Sequence, residues 1–308
     1  MQKTERIPEN RVERRTVVGI GVFDGVHLGH ARVLAAVREL AARTQAIPAA
    51  VTFDPHPRQV VAPENAPCLL IPLAERLRLL REYGMADVTV IPFTKDFAAM
   101  PPEKFLAELA ERIGGLCGIC VGANWRFGVR ASGGAAELAA FAQARRIGFT
   151  PVPELEQDGR IVSSTEIRRA MAAGDLAGAE KMLGRPYRIF GTVERGFRAA
   201  TGDLGCPTAN LRMRDGVLPP DGVYAARAFP ADGGVYPAAV NIGFAPTYRR
   251  EKPERRTEVH LLDYAGDLYG QALGVELLCY LRTEQAFPDP DALRRQIALD
   301  IRKIREMI

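Results

Sequence analysis

The sequence predicts an α/β + β protein: a parallel, doubly wound sheet with helices, then an antiparallel β-barrel and a terminal helix. Three observations carry this. From Thr16 to about Gly184, short apolar runs alternate with stretches at helical spacing, the pattern of a parallel sheet built from crossovers. After Gly184-Arg185-Pro186 the helical spacing stops, and strand-like runs follow one another between Gly- and Pro-rich turns. The chain then closes on Asp289-Pro290, an N-cap and first-turn pair, followed by Leu293, Ile297, Ile301 and Ile304 at helical spacing. The organisation expected is therefore two domains, 1–184 and 185–308.

The elements follow in order. Thr16-Val17-Val18-Gly19-Ile20-Gly21-Val22 is a short apolar run suited to a buried strand, and residues 31–43 place Val33, Leu34, Val37 and Leu40 on one helical face. Further strands are expected near 49–53, 87–92, 118–122 and 148–152. Helices are expected over 74–83, 102–113 and 135–146. The barrel strands read as 187–193, 222–229, 235–242, 257–264 and 274–281, and one apolar face of the terminal helix must pack on the barrel or the first domain.

Size and composition narrow the function. With 308 residues and 47% hydrophobic content, two well-formed cores are possible. No apolar run approaches the roughly 18 residues a membrane span needs, and the polar start Met1-Gln2-Lys3-Thr4-Glu5-Arg6 lacks a signal peptide's apolar stretch. A cytoplasmic protein is expected. Five scattered cysteines fit a reducing compartment, and Cys117-Gly118-Ile119-Cys120 reads as an apolar strand segment. A net charge of +4 is modest for a nucleic-acid protein, and the Arg-rich run Arg249 to Arg256 is broken by acids and a proline, so it reads as a solvated loop. Neither nucleic acid nor membrane is expected as a partner.

The stretch Gly19-Ile20-Gly21-Val22-Phe23-Asp24-Gly25-Val26-His27-Leu28-Gly29-His30 joins the first strand to the first helix. In an open α/β sheet, ligands bind at that edge, where the helix N-terminus offers unpaired N–H groups to phosphate. Three readings of the histidine pair are open: metal ligands, a phosphate-facing pair, or structural polar residues. Cys68, Cys117, Cys120, Cys206 and Cys279 show no spacing that would complete a metal site. Gly25 and Gly29 allow close approach of backbone to a ligand, which favours phosphate.

His27-Leu28-Gly29-His30 is similar to the HxGH signature of the nucleotidylyltransferase superfamily. The longer FDGVHLGH string resembles that of the bacterial bifunctional riboflavin kinase/FMN adenylyltransferases, the FAD synthetases. The resemblance covers nearly the whole chain from Thr16 to Ile308. It implies a Rossmann-like nucleotidylyltransferase domain that transfers AMP from ATP to FMN, and a barrel that phosphorylates riboflavin, with Mg²⁺ as cofactor. ATP, riboflavin and FMN are then the substrates and FAD the product, with flavin-dependent apoproteins as recipients.

Three further stretches carry the first activity. Thr52-Phe53-Asp54-Pro55-His56-Pro57 reads either as a turn forced by two prolines or as a site wall; by resemblance Asp54 and His56 border the flavin and nucleotide. Gly122-Ala123-Asn124-Trp125-Arg126-Phe127-Gly128 resembles the family's G-x-N/D-F-x-F-G motif with Trp125 for Phe. Asn124 is expected as a ligand contact; Phe127 reads as a core seal and, by resemblance, as a nucleotide and flavin contact beside it. Ser163-Ser164-Thr165-Glu166-Ile167-Arg168 is a good N-cap sequence and also sets three hydroxyls and a cation where phosphate oxygens could be met. It resembles the family's SSTxIR signature. Gly21, Phe23, Asp24, Gly25, Gly29, Ser163, Ser164 and Thr165 are thus nucleotide contacts by resemblance, and His27, His30 and Arg168 catalytic.

For the second activity, Pro207-Thr208-Ala209-Asn210 resembles the riboflavin kinase G-F-P-T-A-N signature, in which Thr and Asn oxygens hold Mg²⁺ and the ATP phosphates. Read alone, PTAN is equally a turn. Gly191, Gly196 and Pro207 are implied nucleotide contacts, and Thr208 and Asn210 implied metal ligands. Glu258 alternates with apolar neighbours on a strand; by resemblance it is the general base that the neutral riboflavin 5′-hydroxyl requires. Asn241 to Thr247 matches a further family segment, read as core and pocket wall. The loop Ala200 to Cys206 departs from the family: it lacks an arginine and has Cys206 for Phe. This motivates two alternatives, a monofunctional FMN adenylyltransferase and a non-enzymatic flavin-binding protein. A class I aminoacyl-tRNA synthetase-like protein is disfavoured by the modest charge.

Overall fold

A computed structural model describes residues 14–194, 208–244 and 255–308. The chain divides into two compact units. One comprises the described residues up to Pro67 with Leu73–Val162; the other comprises Cys68–Pro72 with the described part of Ser163–Ile308.

The first unit runs β1 (Thr16–Ile20), α1 (Leu28–Thr44), β2 (Ile47–Asp54), α2 (Pro57–Val61), α3 (Leu73–Glu82), β3 (Asp87–Pro92), α4 (Lys95–Ala98), α5 (Pro102–Ile113), β4 (Leu116–Gly122), α6 (Ala135–Arg145), β5 (Gly148–Val152) and the short ribbon β6 (Glu156–Gln157) and β7 (Arg160–Ile161). The five long strands pair in parallel in the order β3-β2-β1-β4-β5. All five residues of β1, the central strand, are buried, as expected of a strand covered on both faces. Cys117 and Cys120 fall three apart in β4, so they face opposite sides of the sheet. Burial pushes the Cys120 thiol up to about 11, which keeps it protonated and inert.

α1 begins at Leu28, three residues before the apolar periodicity starts, because the His27 side chain accepts from the His30 N–H and caps it. An aromatic cluster fills one side of the sheet. Phe53, Phe97, Phe105 and Phe127 are buried there, with Phe93 and Trp125 packed against them. Each fully buried aromatic ring contributes on the order of 2–3 kcal/mol.

The second unit runs α7 (Ser164–Ala173), α8 (Leu176–Leu183), β8 (Arg188–Glu194), β9 (Ala209–Arg212), β10 (Gly222–Phe229), β11 (Tyr236–Phe244), β12 (Arg255–Leu261), β13 (Ala272–Arg282) and α9 (Pro290–Met307). The six strands close into an antiparallel barrel in the order β10-β11-β12-β9-β8-β13. Sequence reading misses β9, whose residues look like a turn; it forms because Ala209 and Asn210 pair with Val259 and Glu258, and 210–212 pair with β8. The expected solvated loop is also corrected at its end. Arg255 and Arg256 open β12, paired in register with Phe244 and Gly243, and Arg255 donates to Asp221 at 2.6 Å. Residues 249–254 of that run lie outside the described residues.

Along β12, Thr257, Val259 and Leu261 are buried while Glu258 and His260 on the other face are half-buried. α9 starts as expected, with Asp289 accepting from the Ala292 N–H at 2.7 Å and Pro290 in the first turn. Its apolar face packs on the barrel: Ile304 is fully buried with Ala225 and Leu262, and Ile301 packs beside them. The helix is also held by an ion pair whose carboxylate is buried. Arg282 donates to Asp300 at 2.9 Å, and Gln296 donates to the other Asp300 oxygen at 2.9 Å. Replacing Asp300 with Ala removes the buried carboxylate that accepts from both the half-buried Arg282 and Gln296, and the expected cost is about 2 kcal/mol. A lowered urea midpoint of the purified chain checks this, and an unchanged midpoint refutes it.

Candidate active sites

In the first unit, the crossing from β1 to α1 is made by a turn with Phe23 at φ 54°, Gly25 at φ 81° and Val26 at φ 38°. Positive φ at Phe23 and at the β-branched Val26 is costly, so the surroundings must hold the turn in place. Gly21 and Phe23 are buried, and a Cβ on Gly21 would lie 3.3 Å from the Phe23 ring. Asp24 is 3% and His27 6% exposed. The His27 and His30 rings stack with centroids 3.6 Å apart, and Phe23 meets His30 edge-on at 5.2 Å. Since His27 Nδ1 accepts from the His30 N–H at 3.3 Å, the proton of the neutral His27 ring sits on Nε2. His27 therefore carries a ring N–H donor at the N-terminus of α1 with the His30 ring stacked on it, a set of groups that suits an anion. A Cβ on Gly29 would stand 3.1 Å from the His27 ring and 3.2 Å from the Val162 carbonyl, so a larger residue would crowd the turn.

Val22 also lines a cavity of about 910 Å³ with Phe53, Phe93, Phe97, Trp125 and Phe127, while His56, Lys95 and Arg126 add polar groups. Trp125 stacks on Phe127 at 4.9 Å. His56 caps α2 by accepting from the Arg58 N–H at 3.1 Å, so this residue is at once turn and cavity wall. Asp54 ends β2 and lies 3.7 Å from Arg76. Asn124 is exposed in the turn after β4. The aromatic cavity and Arg76 went unrecognised in the sequence: the phenylalanines come from four separate segments, and Arg76 sits in an ordinary amphipathic helix.

Ser163, Ser164, Thr165 and Arg168 belong to the second unit. Ser163 caps α7, accepting from the Glu166 N–H at 3.3 Å, and Arg168 Nε donates to the Cys68 carbonyl at 2.7 Å. Cys68 lies in the Cys68–Pro72 segment of that same unit, where Tyr187 donates to Leu70 at 3.3 Å.

The barrel carries a second cavity, of about 690 Å³, lined by Thr208, Asn241, Glu258, His260, Arg282 and Glu284, with Leu293, Ile297 and Ile301 of α9 as an apolar wall. Asn210, Glu258 and Asn241 form one row across β9, β12 and β11. Asn241 donates to Glu284 at 2.9 Å, and its carbonyl oxygen is buried with no hydrogen-bond partner among the described residues. Burial pushes the Glu258 carboxyl above the usual carboxylate range, with Arg256 pulling it down and Glu284 adding to the rise. Thr208 and Asn210 offer hard oxygen donors at the start of β9, a set that fits Mg²⁺ shared with phosphates. Gly191 lies inside β8, where a Cβ would meet the Arg212 carbonyl at 2.6 Å. Gly196, Pro207 and the loop Ala200 to Cys206 lie outside the described residues.

Comparison with known proteins agrees across the two halves. The FAD synthetase family profile matches residues 9–166, and the riboflavin kinase profile matches 183–308. The bifunctional riboflavin kinase/FMN adenylyltransferase of Escherichia coli strain K12 is 35% identical over 290 residues, 94% of this chain and 92% of that protein. The protein of that name from Bacillus subtilis strain 168 is 31% identical over 291 residues, 94% and 91% of the two chains. A crystal structure described as a macrolide-efflux protein from Streptococcus pneumoniae superposes with a TM-score of 0.82 at 28% identity, over 95% of this chain and 94% of that one. Among the described residues no helix is long and apolar enough to cross a membrane. With both profiles matched in order and relatives at 35% identity spanning 94% of its length, the chain belongs to the bifunctional riboflavin kinase/FMN adenylyltransferase family.

Proposed function

We propose that the chain makes FMN from riboflavin with the barrel and FAD from FMN with its N-terminal part, the division falling near residue 184. The observation that supports this best is one cavity in each unit: an aromatic one in the first, reached by Val22 at the entry to the turn that carries the stacked histidines, and one in the barrel lined by the half-buried Glu258 carboxylate.

In adenylyl transfer, a phosphate oxygen of FMN attacks the α-phosphorus of ATP. A new P–O bond forms, the α–β bridge breaks, and pyrophosphate leaves with the electron pair. The attacking oxygen is already anionic, so no residue need remove a proton. What the chain supplies is position and neutralisation of charge. The His27 and His30 N–H groups and the first N–H groups of α1 meet the phosphates, and the aromatic cavity takes the flat isoalloxazine. The roles of Gly21, Phe23, Asp24, Gly25 and Gly29 are to shape that turn. Arg168 is assigned with the two histidines to neutralising phosphate charge, and Ser163, Ser164, Thr165, Asn124, Asp54 and His56 are assigned as ligand contacts, all from their motifs.

Riboflavin phosphorylation differs because the nucleophile is a neutral hydroxyl. Glu258 accepts the 5′-hydroxyl proton as the oxygen bonds to the γ-phosphorus and ADP departs. Thr208 and Asn210 would hold Mg²⁺, which when bound neutralises the phosphate charge. Gly191, Gly196 and Pro207 are assigned to the nucleotide from the motif. The working place proposed is the cytoplasm, where ATP is supplied and flavin-dependent apoproteins receive the product.

Chromatography of flavins after incubation with ATP and Mg²⁺ tests the reading, with riboflavin in one sample and FMN in another. FAD in both is the expected result. FAD from FMN alone would mean the departure at Ala200 to Cys206 has removed the kinase, and no new flavin in either would favour a binding protein.

A further inference from the structure

Arg76 belongs to none of the motifs, yet it is a charged side chain only 2% exposed in the first unit. Arginine is rarely buried so far without a specific set of partners. Here those partners are two chain segments. Arg76 Nη1 donates to the Val22 carbonyl at 2.8 Å, and Nη2 lies 3.7 Å from Asp54 Oδ1 at the end of β2. The fully buried Thr52 hydroxyl donates to the same Val22 oxygen at 2.9 Å.

Val22 lies two residues past the end of β1, where the chain enters the turn to His27. The next residue, Phe23, has φ 54°, and Val26 has φ 38°. Such conformations persist only where neighbouring groups over-determine them. Inside the turn the Val26 N–H closes on the Phe23 carbonyl at 3.1 Å, which fixes its middle. Its entry is fixed by the two buried donors on Val22. A guanidinium suits this task because one nitrogen donates to the Val22 carbonyl while its charge, held rigidly in the same plane, faces the Asp54 carboxylate 3.7 Å away as an ion pair.

We propose that Arg76 is a positioning residue for adenylyl transfer, clamping the Val22 carbonyl and the Asp54 carboxylate so that the β1–α1 turn presents His27 and His30 to the phosphates. Arg76 touches neither nucleotide nor flavin in this role. The proposal rests on the assignment of adenylyl transfer to the His27–His30 turn.

The test uses the full chain and its variants R76M, R76K, T52V and H30A, with kcat and KM measured for FAD formation from FMN and, separately, for FMN formation from riboflavin. A reacting group displaced by about 1 Å costs about 10²-fold, so R76M is expected to lose about that factor in kcat for FAD formation, with KM for FMN little changed. Riboflavin phosphorylation should be unaffected. R76K keeps the cation facing Asp54 and a donor for the Val22 carbonyl, so it should recover most of the lost kcat. R76M at the wild-type kcat, or R76K as slow as R76M, overturns the proposal.

Should R76M fail to fold, T52V removes the other donor to Val22 while leaving the charge in place. A loss of about tenfold in kcat for FAD formation is then expected, and an unchanged kcat overturns the clamp. The H30A arm separates the two levels: undiminished FAD formation there refutes the assignment of the turn itself, whereas a loss in H30A with full activity in R76M refutes only Arg76.

Discussion

Replacing Glu258 with Gln is expected to slow riboflavin phosphorylation by about 10²–10⁴-fold, the range a positioned general base contributes. FAD formation from supplied FMN should continue at the wild-type rate. Gln keeps the size and one oxygen of Glu and removes only the ability to take a proton, so the row from Asn210 through Glu258 to Asn241 should stay in register. The pH profile adds a second readout. Burial holds the Glu258 carboxyl above its ordinary range, with the Glu284 charge assisting and Arg256 opposing. The base acts only as the carboxylate, so wild-type kinase activity should fall as pH is lowered through that raised value. The residual rate of E258Q should lack this acidic limb. Initial rates by flavin chromatography from acid to neutral pH check both points, and a variant that keeps a tenth of the wild-type rate would remove Glu258 from the role.

Much of this arrangement is legible in the chain. Residues 87–92, 102–113, 148–152 and 222–229 form the elements expected over those spans, because each is a short apolar or amphipathic run bounded by breakers. Local signals fail where long-range partners decide. β9 looks like a turn because its alternation runs for only four residues, Ala209 to Arg212, directly behind Pro207; the pairing with β12 and β8 makes it a strand. α1 starts at Leu28 because a histidine ring caps it, a role that composition assigns to Ser, Thr, Asp or Asn. The association of α7, α8 and Cys68–Pro72 with the barrel is likewise absent from the pattern, since it arises from contacts such as Tyr187 to Leu70 across 117 positions. The same limit applied to the sites. The motif histidines and Glu258 are found by local strings, whereas the aromatic cavity and Arg76 exist only once separate segments are brought together.

Replacing His30 with Ala is expected to reduce FAD formation by about 10²–10³-fold, the cost of losing one preorganised donor to a developing charge, while riboflavin is still converted to FMN. His30 is the better position to test than His27. The His27 ring accepts from the His30 N–H and caps α1, so H27A would loosen the helix start as well as remove a phosphate donor. H30A keeps the backbone N–H that the cap uses and deletes only the ring stacked 3.6 Å from His27 and edge-on to Phe23. The loss should therefore appear in kcat with little change in the unfolding midpoint. H30N, which restores a neutral N–H donor without a titrating ring, should recover part of the rate if hydrogen bonding to phosphate is what the histidine supplies. Recovery at neutral pH in H30N, with none in H30A, would tie the role to the donor. Equal losses in both would instead tie it to the imidazole, either as a cation or through its stacking on His27.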